Sequence, residues 1–366
     1  MGSEAIKDAL AKFAIEGTLV ECLPYGTGHI HDTYAATYDH AGLRRRYIHQ
    51  RLNHFVFKDP PGMMQNIVQI CAHLQNKLQG SGDETERQML TIIPTLDNDV
   101  LYQDSEGYFW RTYIFIENTV YYDVVEDCKQ AEAASVAFAR FQALLADLES
   151  AVLNETIPDF HNTPMRFEAF EAALAADSCG RAGSCAAEFD FAKPRKAMTA
   201  TVTDALAKGE IPLRVTHNDT KINNVLLDRD SGEGICVIDL DTVMPGSVLY
   251  DFGDLVRTST GHFAENEKDL SKVFVDSEFF EAIVRGYMSQ AKSFLVPREV
   301  ELLPMAGTLI TFENGLRFLT DYLNGDTYYK ISYPDENLDR CRTQFRFVQD
   351  LETRASELED IIRLYN

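Results

Sequence analysis

Short runs in which apolar and polar positions alternate recur at 18–23, 32–38, 47–52, 91–94, 100–103 and 109–116, and this period of two predicts strands. A helical stretch at 63–78 interrupts them. Beyond residue 118 the period lengthens. Ala134, Phe138, Phe141, Leu145 and Leu148 recur at three- and four-residue intervals. Phe279, Phe280, Ile283, Val284 and Tyr287 do the same behind a capping Asp276 or Ser277. Val348, Leu351, Ala355, Leu358 and Ile362 predict one terminal amphipathic helix. All three stripes read as core faces. The chain is 366 residues long, beyond the usual size of one compact core. The pattern therefore predicts an α+β fold in two lobes. A small β-rich N-terminal lobe covers 1–118, and a larger, mostly helical C-terminal lobe covers 119–366, with Glu117 and Asn118 at the hinge. The small-residue stretch 175–187 is expected to be a mobile loop.

One segment, 215–253, carries polar residues that neither period explains. A β-prone run at 213–216 leaves into His217, Asn218 and Asp219; Asn224 follows five residues after Asp219, at the start of an extended run. The turn signal at 229–234 precedes the apolar run 235–238, so a hairpin is expected to return Asp239 beside Asn224. Phosphoryl transfer needs a carboxylate near the accepting hydroxyl and oxygen ligands for magnesium on the nucleotide phosphates. Taken singly, Asp and Asn on a loop are ordinary turn residues. The order H-x-D-x-x-x-x-N, hairpin, I-D is far more restrictive.

HNDTKINNVLLD followed by VIDLDT resembles the aminoglycoside phosphotransferase and choline kinase superfamily, whose fold is similar to that of protein kinases. Within it the chain looks like the sugar 1-kinases that act on N-acetylhexosamines. The resemblance extends to LPYGTGHIHDTY near the start and GLRFLTDYLNGDTYY near the end. It implies that Asp219 is the general base and that Asn224 and Asp239 bind Mg2+, with ATP as co-substrate. Asp251-Phe252-Gly253 mimics the protein-kinase metal motif but lies one element too late, and Asp251 is expected to brace the catalytic loop instead.

Between the first two strands, Gly26, Thr27 and Gly28 would let backbone approach phosphate oxygens. The hinge, including Phe115 and Glu117, would read the base. Many relatives place Lys on the third strand, where this chain has Gln50. Arg51 or another cation would have to compensate. For the acceptor, Arg317, Asp321 and Tyr328 combine donors, a carboxylate and an aromatic face, the inventory a polyhydroxylated sugar requires. An ordinary i, i+4 ion pair between Arg317 and Asp321 is the simpler alternative. His31 and Lys221 are further substrate candidates.

Composition narrows the partners. With 57 acidic against 34 basic residues, the net charge of −23 disfavours nucleic acid and anionic lipid. It suits a neutral sugar or a cationic acceptor such as choline, ethanolamine or an aminoglycoside; homoserine and methylthioribose are other acceptors of related kinases. Gln50 also motivates a pseudokinase reading, against which the retention of Asp219, Asn224 and Asp239 argues. The chain has no apolar run of membrane-spanning length and no signal-peptide pattern at the start, so a cytoplasmic location is expected. Seven cysteines without a C-x-x-C pair are read as reduced thiols; Cys179 and Cys185 could approach each other across a glycine-rich turn.

Overall fold

The computed structural model describes residues 3–26, 30–79 and 85–366. After helix α1 (Ser3–Leu10), the strands β1 (Thr18–Pro24), β2 (Asp32–His40) and β3 (Leu43–Arg51) form an antiparallel meander. Helix α2 (Pro60–Leu78) follows, capped by the Asp59 carboxylate, which accepts from the Gly62 N–H. The chain then returns through β4 (Ile92–Ile93), β5 (Tyr102–Gln103) and β6 (Phe109–Ile114). The sheet order is β1-β2-β3-β6-β4, and β5 also pairs with β6, on the same side as β4. Its outer face rests on α1 through a cluster that includes Leu10, Phe13, Tyr38, Tyr47 and Trp110.

Residues 115–118 carry the chain out of this sheet into β7 (Thr119–Val120), which pairs with β9 in a second sheet. Asn118 makes the crossing with φ of 56°. Helices α3 (Cys128–Leu145), α4 (Thr163–Ala176), α5 (Ala186–Ala192) and α6 (Thr201–Ala207) come next. Then come β8 (Arg214–Thr216), β9 (Val225–Asp228), β10 (Gly234–Val237) and β11 (Met244–Gly246). The remainder is helical: α7 (Val248–Ser259), α8 (Ser277–Ala291), α9 (Pro297–Leu323), α10 (Glu336–Thr353) and α11 (Ala355–Tyr365). The fold is thus α+β, with a β-rich N-terminal sheet and a larger helical C-terminal part, as the periodicity predicts.

Three local expectations resolve differently in detail. Asp276, not Ser277, caps α8, accepting from the N–H groups of Glu278 and Phe279. The single terminal helix is two helices, because the chain breaks at Arg354, whose guanidinium reaches back to the Val275 carbonyl and Glu357. The stretch 175–187 is structured: α4 ends on Asp177 in the left-handed region, and a 3-10 turn (Ala182–Cys185) buries Cys185. Cys179 is exposed and all seven cysteines are free thiols. Among the described residues no helix is long and apolar enough to cross a membrane.

The main core gathers α2, α3, α7, α8 and the first half of α9, and it also takes in Tyr113 from β6, with Ile48 of β3 packed against it. Asn66 on α2 donates to the carbonyls of Asn154 and Val243 at 2.8 and 3.1 Å, tying the helix to the segment that follows Asp239. Helix α7 lies close against α9 because Gly253 leaves no side chain between them: a Cβ there would stand 2.4 Å from the Ala306 carbonyl oxygen. Gly253→Ala is therefore expected to overpack this contact by about 1–3 kcal/mol. Thermal unfolding should show a midpoint lowered by several degrees; an unchanged midpoint would mean that the two helices can separate freely.

Candidate active site

The loop between β8 and β9 is built around a buried carboxylate. Asp251, on the first turn of α7, accepts from the His217 N–H at 2.9 Å, from the Asn218 N–H at 2.7 Å and from the Gln142 amide at 2.6 Å. Its own carbonyl accepts from the Thr220 hydroxyl at 2.6 Å. Burial raises the Asp251 carboxyl above the usual range, although these donors and His217 oppose the shift. Asn218 sits at φ of 65°, and its side chain donates to the carbonyls of Thr216 and Thr242. That left-handed step, held on both sides, turns the chain so that Asp219 faces the cleft rather than continuing β8.

Asp219 lies beside Lys221, whose Nζ is 3.0 Å from Oδ2, and beside the Asn224 amide, which donates to Oδ2 at 3.1 Å and to the Asp219 carbonyl at 2.8 Å. Burial works against the charged form of Asp219, but Lys221, His217 and Arg257 outweigh it and hold the carboxyl below its ordinary value. Asp219 is therefore ionised at neutral pH. Because Asn224 uses its NH2 group on Asp219, its Oδ1 is left open. The β9–β10 hairpin pairs Val225 with Val237, and the Ile238 N–H donates to the Asn224 carbonyl at 2.9 Å, which returns Asp239 beside Asn224.

Asp239 adopts φ of 57° and opens toward the cleft, with no side-chain hydrogen bond from a described residue. Enclosure in the cleft, together with the neighbouring Asp241 and Asp219 carboxylates, pushes its carboxyl above the usual range. A carboxylate crowded by two others and lacking a protein donor calls for a cation. The open amide oxygen of Asn224 beside it completes a pair of hard oxygen ligands of the kind magnesium takes. The residues present fit the ion.

These groups form one wall of a cleft of about 640 Å³. Gly26, Gln50 and Phe115 line it, as does the backbone run 114–116. Gly26 has φ of +81° and open space where a Cβ would stand. Thr27 and Gly28 lie outside the described residues. Tyr25 meets Phe115 edge-on at 5.4 Å, giving the hinge side an aromatic lining. Glu117, expected to contact nucleotide, turns its side chain away: it pairs with Arg46, whose guanidinium stacks 3.7 Å over Phe115. Only its backbone remains for that role.

A cation stands beside Gln50 on the neighbouring strand of the sheet. Gln50 is in register with Arg111 on β6, and Arg111 Nε donates to Gln50 Oε1 at 2.9 Å. The same guanidinium grips Asp241 with both Nη atoms; Nη2 donates to Oδ2 at 3.0 Å. Arg111 and Asp241 are 1% exposed each, so this is a fully buried pair joining the N-terminal sheet to the segment that carries Asp239. In protein kinases a third-strand Lys pairs with a Glu on the helix. Here α2 has no acidic residue at all, and the buried cation–carboxylate pair joins β6 to the residue two beyond Asp239. Arg51, the cation considered from sequence, pairs with Asp32 and stacks on Tyr108.

His31, expected to contact substrate, belongs to this same joint. Its Nδ1 accepts from the Asn53 N–H at 3.0 Å, so Nε2 carries the proton and donates to Asp241. Both ring nitrogens are engaged by protein, which leaves its edge for packing on Phe57 and for lining the cleft. Asp321 is a second correction. Its carboxylate accepts from the N–H groups of Thr327, Tyr328 and Tyr329 and from the Asn337 amide, at 2.8–3.0 Å. It is 5% exposed and shapes the loop after α9 rather than facing a sugar.

Arg317 makes no ion pair with Asp321. It lies over the rings of Phe160 and Tyr329 at 5.2 and 5.8 Å, hydrogen bonded to Tyr328. Arg166 stands close enough that the two guanidinium charges repel, and among the described residues it donates to the carbonyls of Asp159 and Phe160 alone. Neither arginine has a carboxylate ion pair among the described residues. One turn before Arg317, Glu313 binds His161, and His161 reaches the Asn218 carbonyl, so this basic aromatic wall adjoins the catalytic loop. Sequence reasoning missed Arg111, Asp241, Arg166, His161 and Glu313. The signal for three of them was a charge set in an apolar run: Arg111 in FWRTYI, Asp241 in VIDLDTVM and Glu313 in TLITFENGL.

Replacing Arg111 by Met should cost about 3–5 kcal/mol, because Asp241 is left buried without its cation. Burial opposes the charge on Asp241, but Arg111 and His31 hold its carboxyl far below the ordinary value. Its contribution is fully present above the unfolded value of about 4 and fades as pH falls through the folded one. Urea unfolding should therefore show the wild-type advantage over Arg111→Met at neutral pH shrinking in strong acid; a constant difference would contradict the pairing.

Residues 21–287 match the model of the APH phosphotransferase enzyme family. Solved structures similar to the chain include an aminoglycoside phosphotransferase from Alicyclobacillus acidocaldarius, with a TM-score of 0.65 and 13% identity over 98% of this chain and 96% of that one. A choline kinase from Cryptosporidium parvum aligns with a TM-score of 0.55 and 15% identity over 99% and 98% of the two chains. A spectinomycin phosphotransferase in complex with ADP and spectinomycin gives 0.54 and 13%, over 98% and 99%. They share this fold. The matched span contains the loop, the hairpin and the Arg111–Asp241 joint, and the chain belongs to the APH phosphotransferase family.

Proposed function

We propose that the protein transfers the γ-phosphoryl group of ATP, with Mg2+, to the anomeric hydroxyl of an N-acetylhexosamine, yielding the α-1-phosphate. The nucleotide would lie in the cleft between Gly26, Gln50 and the hinge at 115–118, with the lobe boundary after residue 118. Asn224 Oδ1 and the Asp239 carboxylate would hold the ion, which when bound neutralises charge on the phosphates. Asp219, ionised and fixed by Lys221 and Asn224, would align the acceptor oxygen and take its proton. An anomeric hydroxyl is more acidic than a primary alcohol, so a carboxylate held below its ordinary value is a sufficient base. Lys221, at 3.0 Å from Asp219, offsets negative charge as phosphate and acceptor approach.

The observation that carries the choice of acceptor is the pair Arg317 and Arg166. Two guanidinium groups without carboxylate ion pairs, set against the rings of Phe160 and Tyr329, repel a cationic acceptor and offer donors to hydroxyl and carbonyl oxygens. Glu313, the nearest acid on α9, is already engaged by His161 and Thr163. That disfavours aminoglycosides, choline and ethanolamine and favours a neutral sugar bearing an acetamido group. The net charge of −23 is a property of the whole surface and does not reverse this local sign.

With ATP and Mg2+, phosphorus NMR should reveal a sugar 1-phosphate from N-acetylglucosamine or N-acetylgalactosamine and none from choline or kanamycin. Turnover of a cationic acceptor alone would overturn the assignment. Asp219→Asn should lower kcat by about 10²–10⁴-fold while ATP affinity stays nearly the same. Arg317→Met should raise KM for the sugar well above its effect on KM for ATP; equal effects would place Arg317 outside the acceptor pocket.

A further inference from the structure

His161 lies in the connection before α4 with a side chain only 7% exposed, its ring stacked on Tyr250 at 4.9 Å. Its Nδ1 is 2.8 Å from Glu313 Oε1, and its Nε2 is 3.1 Å from the carbonyl oxygen of Asn218. A carbonyl can only accept. Glu313 is 0% exposed, its second oxygen accepts from the Thr163 hydroxyl at 2.5 Å, and although burial opposes it, His161, Thr163 and Arg317 hold its carboxyl below the ordinary value. It too is an acceptor. Both ring nitrogens must therefore donate, which only the doubly protonated imidazolium can do.

We propose that His161 is a positioning residue whose charged form pins the Asn218 carbonyl, and with it Asp219, so that loss of one ring proton loosens the catalytic loop and lowers turnover. The inference rests on reading Asp219 as the base. When the ring becomes neutral, the remaining proton stays on Nδ1, facing the ionised Glu313, because a charged acceptor binds it more strongly. Nε2 then turns a lone pair toward the Asn218 oxygen, and an attractive contact becomes a repulsive one. Asn218 is the left-handed residue that aims Asp219 into the cleft, so a shift there moves the base directly. The loop keeps its Asp251 and Thr242 bonds, so the effect is graded rather than all-or-none.

The charged and titratable groups around the ring act in opposite directions, and their balance is upward. Burial, the largest influence, lowers the histidine value, as does Arg317 from α9, but Glu313 on the same helix and the Asn218 carbonyl raise it further. From α4, Arg166 lies within electrostatic range of both Glu313 and Arg317 without pairing with either. From α7, Tyr250 is kept protonated by burial. On the loop itself, Asp219 follows Asn218 and is paired with Lys221. With the folded value raised, the contact is complete below the ordinary histidine value of about 6.5 and is lost as pH rises through the folded value. Turnover should thus decline on the alkaline side.

Two measurements on the full chain test this. Nitrogen NMR of histidine-labelled protein should show both His161 ring nitrogens protonated at about pH 6.5, losing one on alkaline titration; a neutral ring at that pH overturns the proposal, whether or not an acceptor has been found. The pH profile of kcat should show an alkaline decline of about ten-fold, the loss expected for one charge-assisted contact. In Glu313→Gln the amide NH2 can donate to Nδ1, so a neutral ring keeps Nε2–H for Asn218 and the alkaline decline should vanish. An unchanged decline in that variant overturns the proposal. His161→Ala should lower kcat without raising KM for ATP, and a loss confined to KM would also contradict it. Failure of Asp219→Asn to lose turnover would instead remove the underlying assignment of the base.

Discussion

The loop that carries Asp219 depends on one buried carboxylate beneath it. Asp251 takes the N–H groups of His217 and Asn218, and a chain of hydrogen bonds behind it runs through Gln142 to the hydroxyl of Tyr287. Two consecutive backbone donors fixed on one side chain leave the loop a single path, and the left-handed Asn218 is a consequence of it. Helix α7 can hold Asp251 at that depth because Gly253 lets it lie against α9. The loop, the two helices and Asp219 are one mechanical unit.

Charge organises the cleft above it. Asp219, Asp239 and Asp241 would repel one another strongly in a shared enclosure, and each is handled differently. Asp241 is neutralised by Arg111 and hydrogen bonded by His31, Asp219 is balanced by Lys221, and Asp239 is left short of a partner. The deficit falls where a metal ion would be bound. The Arg111–Asp241 joint also connects the N-terminal sheet with the hairpin that presents Asp239, so under the proposed function it would couple the nucleotide and metal sites through a buried ion pair.

The sequence was informative where a function needs a fixed order of residues. The spacing from Asp219 to Asn224 and the hairpin to Asp239 could be read because local turn chemistry sets it. Asp251 could be assigned a bracing role because one hairpin already ended on Asp239. Pairings between distant segments were not legible: Gln50 looked like a lost cation until the β3–β6 register placed Arg111 against it, and Arg111 is 130 residues from Asp241. Asp321 and His31 had the right chemistry for a sugar, but the loop after α9 and the joint to Asp241 claim their hydrogen bonds, and those contacts are fixed by tertiary folding. Arg317 kept its freedom because Asp321 is engaged elsewhere.

The central claim is that Asn224 and Asp239 form the metal-binding edge of a nucleotide site. Calorimetric titration of ATP into wild-type protein and Asp239→Asn, each with and without Mg2+, tests it most directly. Mg2+ should tighten ATP binding to the wild type, and this gain should be largely lost in Asp239→Asn while the metal-free affinity does not fall. A gain from Mg2+ that is equal in the two proteins would contradict it.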